Sequence, residues 1–189
     1  MHSFFAMLSR MKNIDRWQLM RNTKTENICE HSHDVAVLVH ALALLHNRRF
    51  GGSVNAEKCV LLALYHDATE ILTGDMPTPV KYDNPALQQA FQQLEAVAAD
   101  KLISKLPEDL RADYEPLLHP DDAEEKRLLK AADRLAALIK CIEELKQGNR
   151  EFETARVAIE ESIRALDLPA ATCFLEEFLP AYELTLDEL

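Results

Sequence analysis

His31, the adjacent pair His66-Asp67, and Asp133 place two imidazoles and two carboxylates at widely spaced points of a 189-residue chain. Nitrogen and oxygen donors of this kind ligate divalent transition metals, and a metal so held activates water and offsets phosphoryl charge. Each residue falls inside an apolar helical pattern, where an ionisable side chain is costly unless it has a partner. His31 is followed by Val35, Leu38, Leu42 and Leu45, so it shares their helix face. His66 continues the line of Cys59, Leu62 and Ala63, and Asp133 lies between Leu129 and Ala136-Ala137. One such histidine alone is most simply a hydrogen-bonded core residue. Three apolar helices that each turn a polar group inward point instead to a shared ion. His66 and Asp67 diverge by about 100° around a helix axis, so an ion bound by both must sit above the gap between them.

The elements that position these residues are helical. Apolar spacing predicts a first helix over 3–13, with Phe4, Phe5, Leu8 and Met11 on one side. A polar stretch with Arg16, Trp17 and Arg21 follows. Helices are expected over 26–47, over 56–72 with Asn55 as its cap, and over 85–106 with Pro85 in its first turn. Others are expected over 107–118, 121–147, 150–166 and 169–184, with Gly148 ending the longest. Between 73 and 82, TGDMPTPVKY carries one glycine and two prolines and reads as a stiff loop just beyond the His-Asp pair. Ala, Leu and Glu are abundant and only four glycines occur, as in an all-α protein. The length suits one domain spanning 1–189.

A formal net charge of −11, without a run of basic residues, disfavours nucleic acid polymers and anionic membranes as partners. The longest apolar stretch, Val35 to Leu45, contains His40 and is too short for a membrane span, and MHSFFAMLSRMK lacks a signal-peptide layout. Cys29, Cys59, Cys141 and Cys173 are scattered, which suggests reduced thiols in a cytoplasmic protein.

The order His31, His66-Asp67, Asp133 resembles the H…HD…D signature of HD-domain phosphohydrolases. RWQLMRNTKTENICEHS, LYHDATEILTGDMPTPVKY and EEKRLLKAADRLAALIKCIEEL resemble the YfbR-like 5′-deoxynucleotidases along nearly the whole chain. The resemblance implies an HD-domain helical bundle with additional C-terminal helices. It also implies a homodimer and a metal-dependent phosphatase acting on 2′-deoxyribonucleoside 5′-monophosphates. Carried over, it makes His31, His66, Asp67 and Asp133 the metal ligands. His31 is preferred to His33 on its EHS context, and His33-Asp34 is then incidental. The cofactor implied is one divalent ion, Co²⁺ or Mn²⁺ first, with Zn²⁺, Fe²⁺ and Cu²⁺ also admitted.

Glu70 stands one helical turn beyond the His-Asp pair, placed to orient or deprotonate an attacking water. By itself it reads equally as a solvated helix-end glutamate; the resemblance makes it catalytic, alongside Asp67 and Arg16. The resemblance assigns Asp75, Met76, Pro77 and Thr78, with Asp67 and Asp133, to substrate contact. Asp75 either protonates the leaving oxygen or binds the sugar. It also gives Arg16 the phosphate and Trp17, the only tryptophan, a pocket too tight for a ribose 2′-hydroxyl. Lys81 is a candidate for phosphate contact second to Arg16, while His40 and His46 read as structural or exposed. Two other readings stand beside this one. One is an HD enzyme for another phosphoester, a cyclic nucleotide or an alarmone; the other is a non-catalytic helical binding module.

Overall fold

The computed structural model describes residues 1–81 and 84–189, with Thr78 and Pro79 described in their backbone only. The first helix, α1 (Phe4–Leu8), tightens into a 3₁₀ turn at Ser9–Asn13. Phe4 and Met11 are buried as the spacing predicts, but Phe5, next to Phe4 in α1, faces solvent. α2 (Ile28–Arg49) starts where the Asn27 side chain accepts the backbone N–H groups of Cys29 and Glu30. Its face of Ile28, Val35, Leu38, Leu42 and Leu45 is buried together with His31. At 22 residues and mean hydropathy 1.3, α2 is long and apolar enough to cross a membrane by length and composition alone. In the fold 56% of that window is buried inside the protein.

α3 (Ala56–Tyr65) opens on the Asn55 cap, as expected. The helix predicted over 56–72 is interrupted: His66 to Thr69 form a tight turn before α4 (Glu70–Thr73). The cause is local. His66 Nδ1 lies 2.7 Å from the Ala63 carbonyl, which a continued helix would reserve for the Asp67 N–H. The backbone answers with shorter bonds, Ala68 N–H to the Tyr65 carbonyl and Glu70 N–H to that of Asp67, each at 3.0 Å. Gly74 then ends α4 with φ 75° and ψ 159°, a conformation essentially confined to glycine.

The stiff loop after Gly74 holds a helical turn, α5 (Thr78–Lys81), that proline patterning alone excludes. Pro79 sits in its first turn, where no backbone donor is needed. α6 (Pro85–Ile103) begins at the predicted proline, and α7 (Glu108–Leu118) follows. α8 (Ala123–Lys146) is capped by Asp122, which accepts from the N–H groups of Glu124 and Glu125, and Gly148 at φ 81° follows its end. α9 (Glu153–Arg164) and α10 (Pro169–Glu177) close the bundle, with a 3₁₀ turn at Leu179–Glu183 where the last helix is expected to continue. No strand occurs among the described residues; Asp15 and Asn27 make one isolated antiparallel bridge.

The main core joins α2, α3, α8, α9 and α10 through residues such as Val35, Leu42, Ala63, Leu135, Leu138 and Phe174. A second, smaller cluster of Phe4, Ala68, Leu102 and Leu106 packs with Tyr65 and Tyr114. Ala68 belongs to the His66–Thr69 turn, so this cluster backs the turn from behind. The two cores fix α2, α8 and the turn relative to one another.

Candidate metal centre

His31 reaches the centre from the first turns of α2 and is fully buried. Its Nε2 lies 2.9 Å from Asp133 Oδ1 and 3.8 Å from Asp67 Oδ2. With Nδ1–H given to the Ala63 carbonyl, His66 presents Nε2 as a lone pair. That nitrogen is buried without a hydrogen-bond partner, 3.2 Å from Asp67 Oδ1. One ligand atom each from His31, His66 and Asp133 lies within 4.8 Å of the others. Asp67 borders both imidazoles. An orphaned imidazole nitrogen facing carboxylate oxygens suits a divalent cation, since burying such an atom unpaired is otherwise costly. His33, two residues along α2, points away: its side chain is 73% exposed and its nearest partner is neighbouring Asp34.

Asp133 is enclosed by protein but 41% of its side chain remains reachable, so the centre opens to one side. Burial would raise its carboxyl, but the hydrogen bond and charge of His31, with His66 and Arg16, hold it well below the usual range. Glu70 is nearly buried, with Oε2 unpartnered. Burial pushes it up to about 10, aided by the charges of Asp67 and Asp75 and opposed by Arg16 and Lys81. Burial also raises Asp75, against the pull of Arg16. Met76 and Pro77 follow it in the loop, half-buried, and the Pro77 carbonyl accepts the N–H groups of Val80 and Lys81. The side chain of Thr78 lies outside the described residues. Lys81 is engaged with Glu95 at 2.9 Å and lies over the Phe91 ring.

Arg16 and Trp17 arrive on a loop whose ends are tied: Arg16 N–H donates to the Glu26 carbonyl and Ile28 N–H to that of Ile14. The Arg16 guanidinium meets Asp67 Oδ2 at 3.4 Å and Glu26 Oε2 at 3.2 Å. On its outer side it lines a cleft of about 520 Å³ that also touches Asn22 and Gly74. Trp17 has φ 58°, a left-handed conformation that costs a non-glycine residue about 1–3 kcal/mol. Its indole Nε1–H donates to Glu26 Oε2 at 2.7 Å, and its ring packs on Phe152 at 5.3 Å.

Residues 3–182 match a family described as 5′-deoxynucleotidase YfbR-like. The 5′-deoxynucleotidase YfbR of Escherichia coli is 50% identical over 188 residues, covering 98% of this chain and 94% of that protein. The chain belongs to the YfbR-like 5′-deoxynucleotidase family. An HD-domain phosphohydrolase from Listeria innocua has the same fold at TM-score 0.81 and 25% identity, over 95% of this chain and 88% of that one. The HD phosphohydrolase of cyanophage S-2L, bound to dA and one catalytic Zn²⁺, superposes at TM-score 0.67 and 20% identity over 95% and 96% of the two chains. The expectations of a YfbR-like chain and an all-α HD fold are therefore met.

Within that family frame, three residues at the site escape a reading of the sequence. Glu26 accepts from both Arg16 and Trp17 and lies 3.9 Å from His31 Nδ1. Glu144 and Lys140, one turn apart on α8, form a buried ion pair beneath the same loop. Glu144 accepts from the N–H groups of Thr23 and Lys24, the Thr23 hydroxyl and Asn149, while Lys140 donates to the Lys24 carbonyl. For Glu26 the one available signal is a carboxylate beside the helix cap in TENICEH. For the α8 pair it is an i,i+4 lysine and glutamate on a helix face that is otherwise apolar.

Proposed function

We propose that this chain hydrolyses 2′-deoxyribonucleoside 5′-monophosphates to deoxynucleoside and inorganic phosphate, at a centre formed by His31, His66, Asp67 and Asp133. The observation that carries the metal assignment is the unpartnered His66 Nε2, facing carboxylate oxygens and within reach of His31. Those four side chains would hold one divalent ion. Such an ion supplies positive charge that draws nearby carboxyls into their ionised forms and lowers the pKa of water. Co²⁺ and Mn²⁺ suit the donor set, Zn²⁺ is the ion in the cyanophage relative's structure, and Fe²⁺ and Cu²⁺ fit the same ligand types.

The side chains around the centre divide the remaining tasks. Arg16 presents its donor fork to phosphate oxygens, matching their geometry as a lysine would not. Glu70 orients the attacking water and takes its proton. Attack runs in line with the departing 5′ oxygen, to which Asp75, raised by burial, gives a proton. Met76, Pro77 and Thr78 border the sugar, and Trp17 closes the side on which a ribose would carry its 2′-hydroxyl. The enzyme would work as a cytoplasmic homodimer. Four cysteines without a disulfide suit a reducing compartment, and exposed Val37, Leu44, Leu61 and Leu64 on α2 and α3 offer a surface to cover.

Phosphate release from matched deoxy- and ribonucleoside monophosphates, cyclic nucleotides and an alarmone tests this reading. It is to be run after EDTA treatment and after reloading with Co²⁺, Mn²⁺ or Zn²⁺. Turnover of the deoxy 5′-monophosphates alone, restored by metal, is the expected result. Cleavage confined to a cyclic nucleotide or the alarmone, or no metal dependence, would overturn it.

A further inference from the structure

We infer that Glu26 is a positioning residue for sugar selectivity: its carboxylate sets the Trp17 indole and the Arg16 guanidinium in one fixed arrangement beside the metal centre. The inference rests on the nucleotidase reading for its activity test but not for its structural one. Glu26 Oε2 accepts from Trp17 Nε1 at 2.7 Å and from Arg16 Nε at 3.2 Å. Its side chain is only 12% exposed, so water competes weakly for either donor. The geometry leaves Arg16 Nη1 turned to Asp67 at 3.4 Å, on the centre's side. Glu26 Oε1 lies 3.9 Å from the buried, unpartnered Nδ1 of His31. One carboxylate thus borders the proposed sugar wall, phosphate clamp and metal ligand without itself reaching the open cleft beside Arg16.

The need for such a strut follows from the backbone. Trp17 is held at φ 58°, a conformation that persists only where its surroundings fix it; Met20 N–H and the Asn22 amide hold its carbonyl, and the indole needs its own support. Phe152 fixes one face of the indole at 5.3 Å, and a ring face alone leaves the indole free to slide. The bond to Glu26 removes that freedom. A pocket that rejects a 2′-hydroxyl by shape depends on a wall that cannot yield to one extra oxygen.

Trp17 is the only tryptophan, so one indole N–H resonance in a ¹H–¹⁵N spectrum reports this bond without assignment. Glu26→Ala should displace or broaden that resonance. It should lower the deoxy-over-ribo ratio of kcat/KM by about tenfold or more, chiefly through KM, with metal content unchanged. Glu26→Gln keeps an acceptor oxygen for both donors and should restore the resonance and most of the ratio. Thermal melting and metal analysis verify that each variant is folded and loaded. An unmoved indole resonance in folded Glu26→Ala overturns the proposal. So does a displaced resonance with an unchanged ratio. If the wild-type enzyme releases phosphate from neither nucleotide, the nucleotidase reading fails separately, and the indole resonance alone decides whether Glu26 holds Trp17.

Discussion

The proposed metal ligands and the proposed substrate loop sit side by side but are held by opposite means. His31 and Asp133 project from the long helices α2 and α8, and His66 has its ring pinned to the Ala63 carbonyl. Helical backbone under His31 and Asp133, and a tight turn backed by the second core under His66, leave these side chains little room to move. Arg16 and Trp17 ride on irregular backbone, one of them in a left-handed conformation, and depend on side chains from elsewhere. Glu26 grips their heads, and the buried Lys140–Glu144 pair grips the far side of their loop. The difference suggests a division of labour: a scaffold held by helices and cores for the chemical step, and a latch held by side-chain bonds for choosing the sugar.

The largest break in this comparison comes from the rigid side. His66→Ala or Asp133→Ala should remove the metal and activity together, by on the order of 10³-fold. Metal analysis and phosphate release on the same sample check this. Neither change should melt the fold, because both side chains face the centre and not the cores. Glu70→Gln should cost about 10²–10⁴-fold in kcat while leaving metal content and KM nearly intact. A Glu70→Gln enzyme with full turnover would remove that residue from the mechanism.

On the latch side the expected loss is in stability. Glu144→Ala strands the buried Lys140 ammonium, which should cost about 3–5 kcal/mol and loosen the Trp17 loop. Denaturant melts and Trp17 emission measure the two effects. pH gives a finer cut. Burial works against the Glu144 carboxylate, but hydrogen bonds from Lys140, Asn149 and Thr23 outweigh it and hold the group at about 2, against an ordinary 4.5. Its contribution is therefore complete above about 4.5 and is lost as pH falls towards about 2. Glu144→Gln should show a shallower acid loss of stability across that window than the wild type.

The two regions also differ in how far the sequence discloses them. Apolar periodicity brings out α2 and α8, and Asn55, Pro85 and Gly148 mark helix ends where the structure has them. The preference for His31 over His33 rests on its EHS context and not on periodicity; in the fold only His31 shares the buried face of Val35 and Leu42. The break at His66–Thr69 is not legible, because it arises from a ring bonding to a carbonyl within an apolar helical pattern. Phe5, expected on the buried side, is exposed because the short α1 buries only the face of Phe4. The latch is the least legible part. Thr23 and Glu144 lie 121 residues apart, and no period in the loop anticipates their bond. Glu26 stands in the quoted motif, but its role depends on Trp17 folding back over it.

The most direct test of the division of labour is kcat/KM for one matched deoxy- and ribonucleoside monophosphate pair, measured on metal-loaded Trp17→Ala. Expected is a deoxy-over-ribo ratio that collapses towards unity, with metal content and turnover of the deoxy substrate at saturation largely retained. A ratio equal to that of the wild type, or loss of the metal on this substitution, would contradict it.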